Sequence, residues 1–312
     1  PTFIHYKHIE AVMKEIQPQL CEAAEISMEC NPGTVNKESL QAYQAMGINR
    51  LSIGLQAWQD SLQRKLGRIH DTKQFLDNIE QAYAVGFTNI NVDLMFGLPG
   101  QSLAMWLETV EKVAKLGIKH VSCYSLKIEE GTPFHQLYEE DKLQLPLEDV
   151  DRQMYHSAIE LLHSYGLGQY EISNFAVKGY ECKHNLIYWM NEEYVGVGAG
   201  SHSKLENVRY SNYESLQAYM ELVEKGSYPI AERNVVEKEE EMWESIILSL
   251  RLNKGLDIAG FNKRYHTDFC QRYAAAIEKL KGQKLLEIKG ASLRLTSLGM
   301  DLSNTVFIEF ME

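Results

Sequence analysis

The chain has 312 residues, 45% of them apolar, and a formal net charge of −12. That length buries a large core, and no run approaches the ~18 apolar residues of a membrane span. The charge repels a phosphate backbone in a sequence with no block of positive charge, so nucleic acid is not expected as a main partner. Five cysteines, at 21, 30, 123, 182 and 270, are odd in number and contain no CxxC or CxxxC pair. Reduced thiols of a cytoplasmic protein are the expectation, since the opening PTFIHYKHIE carries no secretory signal.

In chain order, a helix is predicted from about Phe3 to Leu20. Four apolar segments follow, EISMEC (25–30), RLSIGLQ (50–56), INVDLMFG (90–97) and HVSCYSL (120–126), and each reads as a buried parallel strand. Helical patterns lie between them and close on Gly47, Gly86 and Gly117. Alternation of this kind makes βα repeats and therefore a parallel sheet or barrel. In such a fold the carboxyl ends of the strands form the working surface. Glu29, Gln56, Asp93 and Ser125 are the polar residues nearest those ends, and together they suit a polar small molecule such as a nucleoside. Asn31-Pro32-Gly33 and Leu98-Pro99-Gly100 add rigid turns after two of the strands.

The segment 180–203, YECKHNLIYWMNEEYVGVGAGSHS, combines Cys182, His184, Tyr188 and Trp189 with glycines at 196, 198 and 200. An imidazole beside aromatic rings suits a flat ligand that needs an axial donor, although a hydrogen-bonded structural histidine is the simpler reading of the residues alone. The glycines permit close approach by backbone. Zinc on Cys182, His184 and His202 lacks the paired spacing of a structural site. Beyond about Glu232 the pattern becomes three helices and a hairpin, a small winged-helix-like domain. Residues 235–312 hold 11 Lys and Arg against 12 Asp and Glu, which is not the basic footprint of a DNA reader, so a lid or docking module is expected. The division is 1–232 and 233–312.

Several segments together resemble the radical S-adenosylmethionine proteins related to oxygen-independent coproporphyrinogen III oxidase, and among these the heme chaperone (HemW) branch. They are EISMECNPG, INRLSIGLQAW, LGRIHD, NVDLMFGLPGQ, CYSLKIEEGTPF, the HNxxYW signature at His184–Trp189, and GVGAGSHS. The resemblance implies an α/β fold: a partial (βα) parallel barrel without its first strands, followed by the C-terminal domain. Pro1-Thr2 resembles the tail of the family's GGGTPT segment, so the three thiolates of its CxxxCxxC loop, which hold a [4Fe–4S] cluster, would lie upstream in a longer natural protein. The cluster is accordingly expected in the intact protein and not in this chain, and no catalytic residue is assigned.

The same resemblance implies S-adenosylmethionine contacts at Glu29, Gln56, Arg68, Asp93, Ser125 and His202. It also implies heme binding at His184, Tyr188 and Trp189, with His184 on the heme iron. The expected function is that of a heme chaperone, which holds heme and delivers it to acceptor proteins, with membrane-associated acceptors one option left open. The alternative is the oxidase itself, decarboxylating coproporphyrinogen by radical chemistry. The HNxxYW segment and His202 argue against that alternative.

Overall fold

The computed structural model describes residues 1–311. They form two compact units, Pro1–Glu181 and the residues from Cys182 onward. The first unit begins with α1 (Tyr6–Ile16) and a 3-10 turn (Gln17–Gln19). Then come β1 (Ser27–Cys30), α2 (Lys37–Ala45), β2 (Arg50–Gln56), α3 (Asp60–Lys65), α4 (Thr72–Val85) and β3 (Asn89–Phe96). It continues through α5 (Leu103–Ala114), β4 (His120–Ser125), α6 (Pro133–Glu139), α7 (Glu148–Ser164), β5 (Gly168–Glu171) and β6 (Asn174–Ala176).

The six strands make one sheet in the order β1-β2-β3-β4-β6-β5. β1 to β4 run parallel, as the βα spacing predicts. β6 then joins β4 antiparallel, and β5 pairs antiparallel with β6 because the two-residue link between them allows no crossover.

The strands alternate sharply. Met28, Cys30, Leu51, Ile53, Ile90, Val92, Leu94, Val121 and Phe175 share one face with α2, α4, α5 and α7, in one core that includes Tyr43, Phe75, Trp106 and Met154. Trp106 is fully buried, and its indole N–H donates to the Met154 carbonyl at 2.8 Å. The other face carries Glu29, Ser52, Asn91, Asp93, His120 and Ser122, which stand in register across the sheet. The strands β2 and β3 are largely buried, in keeping with the sequence, but their two faces differ. Helices cover a single face, and the remaining face is polar.

Helix entry is specified locally. Asp71 accepts from the Gln74 N–H at 2.8 Å while the Gln74 side chain accepts from the Asp71 N–H at 3.1 Å, a reciprocal capping box at the start of α4. Asp71→Ala is expected to cost about 1 kcal/mol, read as a lowered urea midpoint.

The second unit holds α8 (Lys183–Trp189), β7 (His202–Leu205), β8 (Val208–Asn212), α9 (Leu216–Glu224), β9 (Ile230–Val235) and α10 (Lys238–Leu250). After these come β10 (Leu256–Asp257), α11 (Ile258–Tyr265), α12 (Phe269–Arg272), α13 (Ala274–Gly282), β11 (Leu286–Lys289), β12 (Ser292–Leu295), α14 (Ser297–Asp301) and α15 (Ser303–Ile308). Antiparallel β7-β8-β9 forms one small sheet, and β10-β12-β11 forms the wing. The winged-helix-like core gathers Met242, Ile246, Phe261, Phe269, Leu280, Leu293 and Phe310.

Candidate functional site

On the polar face of the first unit, a directed set of hydrogen bonds ends on one carboxylate. Asn91 Nδ2 donates to Asp93 Oδ1 at 2.8 Å and to Ser52 Oγ at 2.7 Å, and Ser52 Oγ donates to Asp93 Oδ2 at 3.0 Å. An ionised carboxylate only accepts, so the Asn91 amide must turn its oxygen the other way. That oxygen receives Ser122 Oγ at 3.2 Å and faces His120 Nδ1 at 2.7 Å. His120 therefore carries its proton on Nδ1, and Nε2 accepts from the Tyr170 hydroxyl at 2.9 Å. Burial, with the Arg50 charge nearby, pushes the His120 imidazole well below its ordinary value and keeps it neutral. Asp93 is thus fixed at both oxygens, with lone pairs left for hydroxyl donors.

The other predicted contacts distribute around this centre. Glu29 is exposed on the same face, in register with Ser52. Gln56 ends β2 after a register shift and adopts a left-handed φ of 70°. Its amide lies over Gly54, where a Cβ would stand 3.0 Å from Nε2 at the flexible end of the side chain. Arg68 reaches the end of β1, donating to Asn31 Oδ1 at 3.3 Å. Asp93 lies within β3, three residues before its end, rather than at the rim. Ser125 has the opposite parity and donates to Asp151 Oδ1 of α7 at 3.0 Å. His202, exposed, opens β7 in the second unit.

In the second unit, α8 presents an exposed His184 whose ring meets Tyr188 edge-on at 4.9 Å. Tyr188 in turn packs against Tyr194 at 4.6 Å. Trp189 lies 4.4 Å under the Arg251 guanidinium, so one π-face is taken. Cys182 is buried. The helix is anchored just past its end by Asn191, left-handed at φ 54°. The Asn191 amide donates to Ser245 Oγ at 2.9 Å, and its carbonyl accepts from Lys204 Nζ at 3.3 Å and Arg264 Nη2 at 3.1 Å. Gly196 has a local purpose: a Cβ there would stand 2.2 Å from the His202 carbonyl oxygen. Its close approach is to the chain's own β7.

The sequence pattern of the Radical SAM superfamily matches residues 2–124, and that of the HemN C-terminal domain matches 236–302. A Bacillus subtilis protein named heme chaperone HemW is 34% identical over 314 residues, covering 100% of this chain and 83% of its own length. The chain belongs to the HemW family. A Lactococcus lactis heme chaperone HemW is likewise 34% identical, over 316 residues that span 100% of this chain and 82% of the relative. The solved coproporphyrinogen III oxidase (HemN) of Escherichia coli superposes with a TM-score of 0.84 at 22% identity, over 99% of this chain and 75% of that one. That likeness speaks to the fold.

Membership in the HemW family and the radical SAM superfamily implies a cluster and S-adenosylmethionine, and the two fare differently against the residues present. Cys30 and Cys123 both belong to the apolar, helix-covered core. Burial pushes the Cys30 thiol up to about 12 and the Cys123 thiol further in the same direction. Among the described residues no group of three His, Cys, Asp or Glu side chains is placed to hold a metal ion, so these residues do not themselves make up a cluster site. S-adenosylmethionine does fit, because the polar face offers carboxylates, an amide and a guanidinium. Attention to the carboxyl ends of the strands passes over Ser52, Asn91 and His120, which lie further back along them, and Tyr170 belongs to β5, a strand not predicted from the sequence. The period-two signal was present in β3, where Asn89, Asn91 and Asp93 alternate with Ile90, Val92 and Leu94.

Proposed function

We propose that this chain is a heme chaperone that holds heme through His184 and passes it to acceptor proteins. The observation that carries the reading is an exposed imidazole on α8, within HNxxYW, in a chain aligned end to end with proteins named heme chaperones. The T-shaped contact with Tyr188 restrains the His184 ring, while Asn191 and its cationic partners hold the helix that bears it. An imidazole that is positioned yet open to solvent can bind iron axially and release it again. Among the described residues no helix is long and apolar enough to cross a membrane, so we assign delivery to membrane-associated acceptors to contact with the acceptor itself.

The polar face of the first unit is the proposed seat of S-adenosylmethionine, a structural or regulatory ligand in the intact protein. Asp93 and Glu29 accept from ribose hydroxyls, Gln56 pairs with the base or amino group, and Arg68 holds the carboxylate. Ser125 donates its hydroxyl to Asp151 and is given no contact in this seat.

Hemin titration of the full chain tests the first reading. His184→Ala is expected to weaken binding at least about tenfold, or ~1.4 kcal/mol, and to alter the Soret band. Identical spectra and affinity would remove His184 from the iron.

A further inference from the structure

The small sheet β7–β9 is inside out. On one face Lys204 is buried and reaches Asn191 and Glu241, while Arg209 pairs with Glu244 of α10. The opposite face carries Leu205, Val208, Tyr210 and Arg233 across the same registers, and it is open. Soluble sheets ordinarily bury the apolar face and solvate the charged one. Here the covered face is the charged one.

The open face lines a cavity of about 690 Å³, within the range of ligand and cofactor sites. Its walls include Val197, 85% exposed, and Tyr228, 88% exposed, with Tyr219 contributed by α9. Helix α9 has no buried residue, yet Leu216, Tyr219, Met220 and Val223 stand at helical spacing along one stripe. Arg233 sits opposite Tyr210 in the β8–β9 ladder and is the cavity's one basic side chain among the described residues, while Glu206 lies at its edge. Aliphatic and phenolic walls with a guanidinium suit a flat apolar ring system that carries a carboxylate. Tyrosine oxygen is also a donor to heme iron.

We propose that this cavity is a second porphyrin site, independent of His184. It rests on the chaperone reading for the identity of the macrocycle. The independence follows from the topology. Tyr188 contacts Tyr194, whose bridge partner Lys204 belongs to the charged, covered face, so the His184 chain and the cavity lie on opposite faces of the sheet. Two seats on one unit give a chaperone a holding position with an axial ligand and an open position from which the ring can leave.

Metal-free protoporphyrin IX separates the two seats, because it offers no iron to His184. With the full chain, protoporphyrin fluorescence should saturate for wild type and for His184→Ala alike. The double variant Arg233→Glu, Tyr228→Ser, changed only at exposed side chains and checked by circular dichroism, should bind it at least tenfold more weakly while keeping hemin binding at His184. No protoporphyrin binding by wild type, or unchanged binding by the double variant, overturns the cavity site and leaves the chaperone reading intact. Loss of protoporphyrin binding in His184→Ala overturns it as well. If the double variant changes only the oligomeric state, the face is a self-association surface and the proposal fails. Wild type that binds neither hemin nor protoporphyrin defeats the chaperone reading itself.

Discussion

Asn91→Ala is expected to destabilise the first unit by about 3 kcal/mol, because one truncation orphans several buried partners at once. The amide is 2% exposed and sits between His120 Nδ1, Ser122 Oγ, Ser52 Oγ and Asp93 Oδ1. A methyl group in its place leaves a buried imidazole N–H without an acceptor and a carboxylate oxygen without its donor. Each unsatisfied group costs about 1–3 kcal/mol, partly offset by relaxation and by water reaching the half-open Asp93. Urea unfolding measures the loss directly, and a midpoint equal to wild type would show that the network contributes nothing to folding. The same variant should weaken S-adenosylmethionine binding in calorimetry, since Asp93 loses the neighbour that aims it.

Acid should destabilise the same unit through His120. Its folded value lies well below the ordinary 6.5, first because of burial and then because of the Arg50 charge. The imidazole is therefore neutral in the folded chain at every pH where the unfolded chain begins to take up a proton. Above about 6.5 both states are neutral and the group contributes no pH dependence. Below it the unfolded state alone is protonated, and stability falls by about 1.4 kcal/mol per pH unit until the folded value is reached. Between pH 7 and pH 5 His120 therefore works against folding as the pH drops. His70, also buried and lowered chiefly by desolvation, acts in the same direction. Unfolding midpoints taken across this range should slope steeply for wild type and less for His120→Gln, which keeps a hydrogen-bonding group without a titrating ring. Parallel slopes would mean that His120 is not the neutral buried group described.

Much of the fold was legible because its cues are local. The βα spacing and the glycines after helices act over a few positions, and they appear as read; the capping residues Asn36 and Asp71, which the structure reveals, are equally local cues. The side-chain parity of the strands was less legible. In RLSIGLQ the register shifts between Gly54 and Gln56, and in HVSCYS the polar Ser125 breaks the alternation, so it shows only when neighbouring strands are set in register and Ser52, Ser122, Asn91 and His120 fall on one face. Ser125 illustrates the converse. A serine at a strand end looked like a rim contact, but one step of parity turns it toward Asp151.

By itself the sequence determined the βα architecture, the HNxxYW signature and the membership in a family, since propensity, turn chemistry and motif spacing are properties of neighbouring residues. Tertiary structure alone decided what those residues face. Asp93 becomes an aimed carboxylate only when Ser52 and Asn91 arrive beside it from separate positions in the sheet. The inverted sheet β7–β9 exists only because α10 supplies acids to Lys204 and Arg209, leaving the apolar side without cover. Contacts between distant segments set both outcomes, and local periodicity does not say which segments meet.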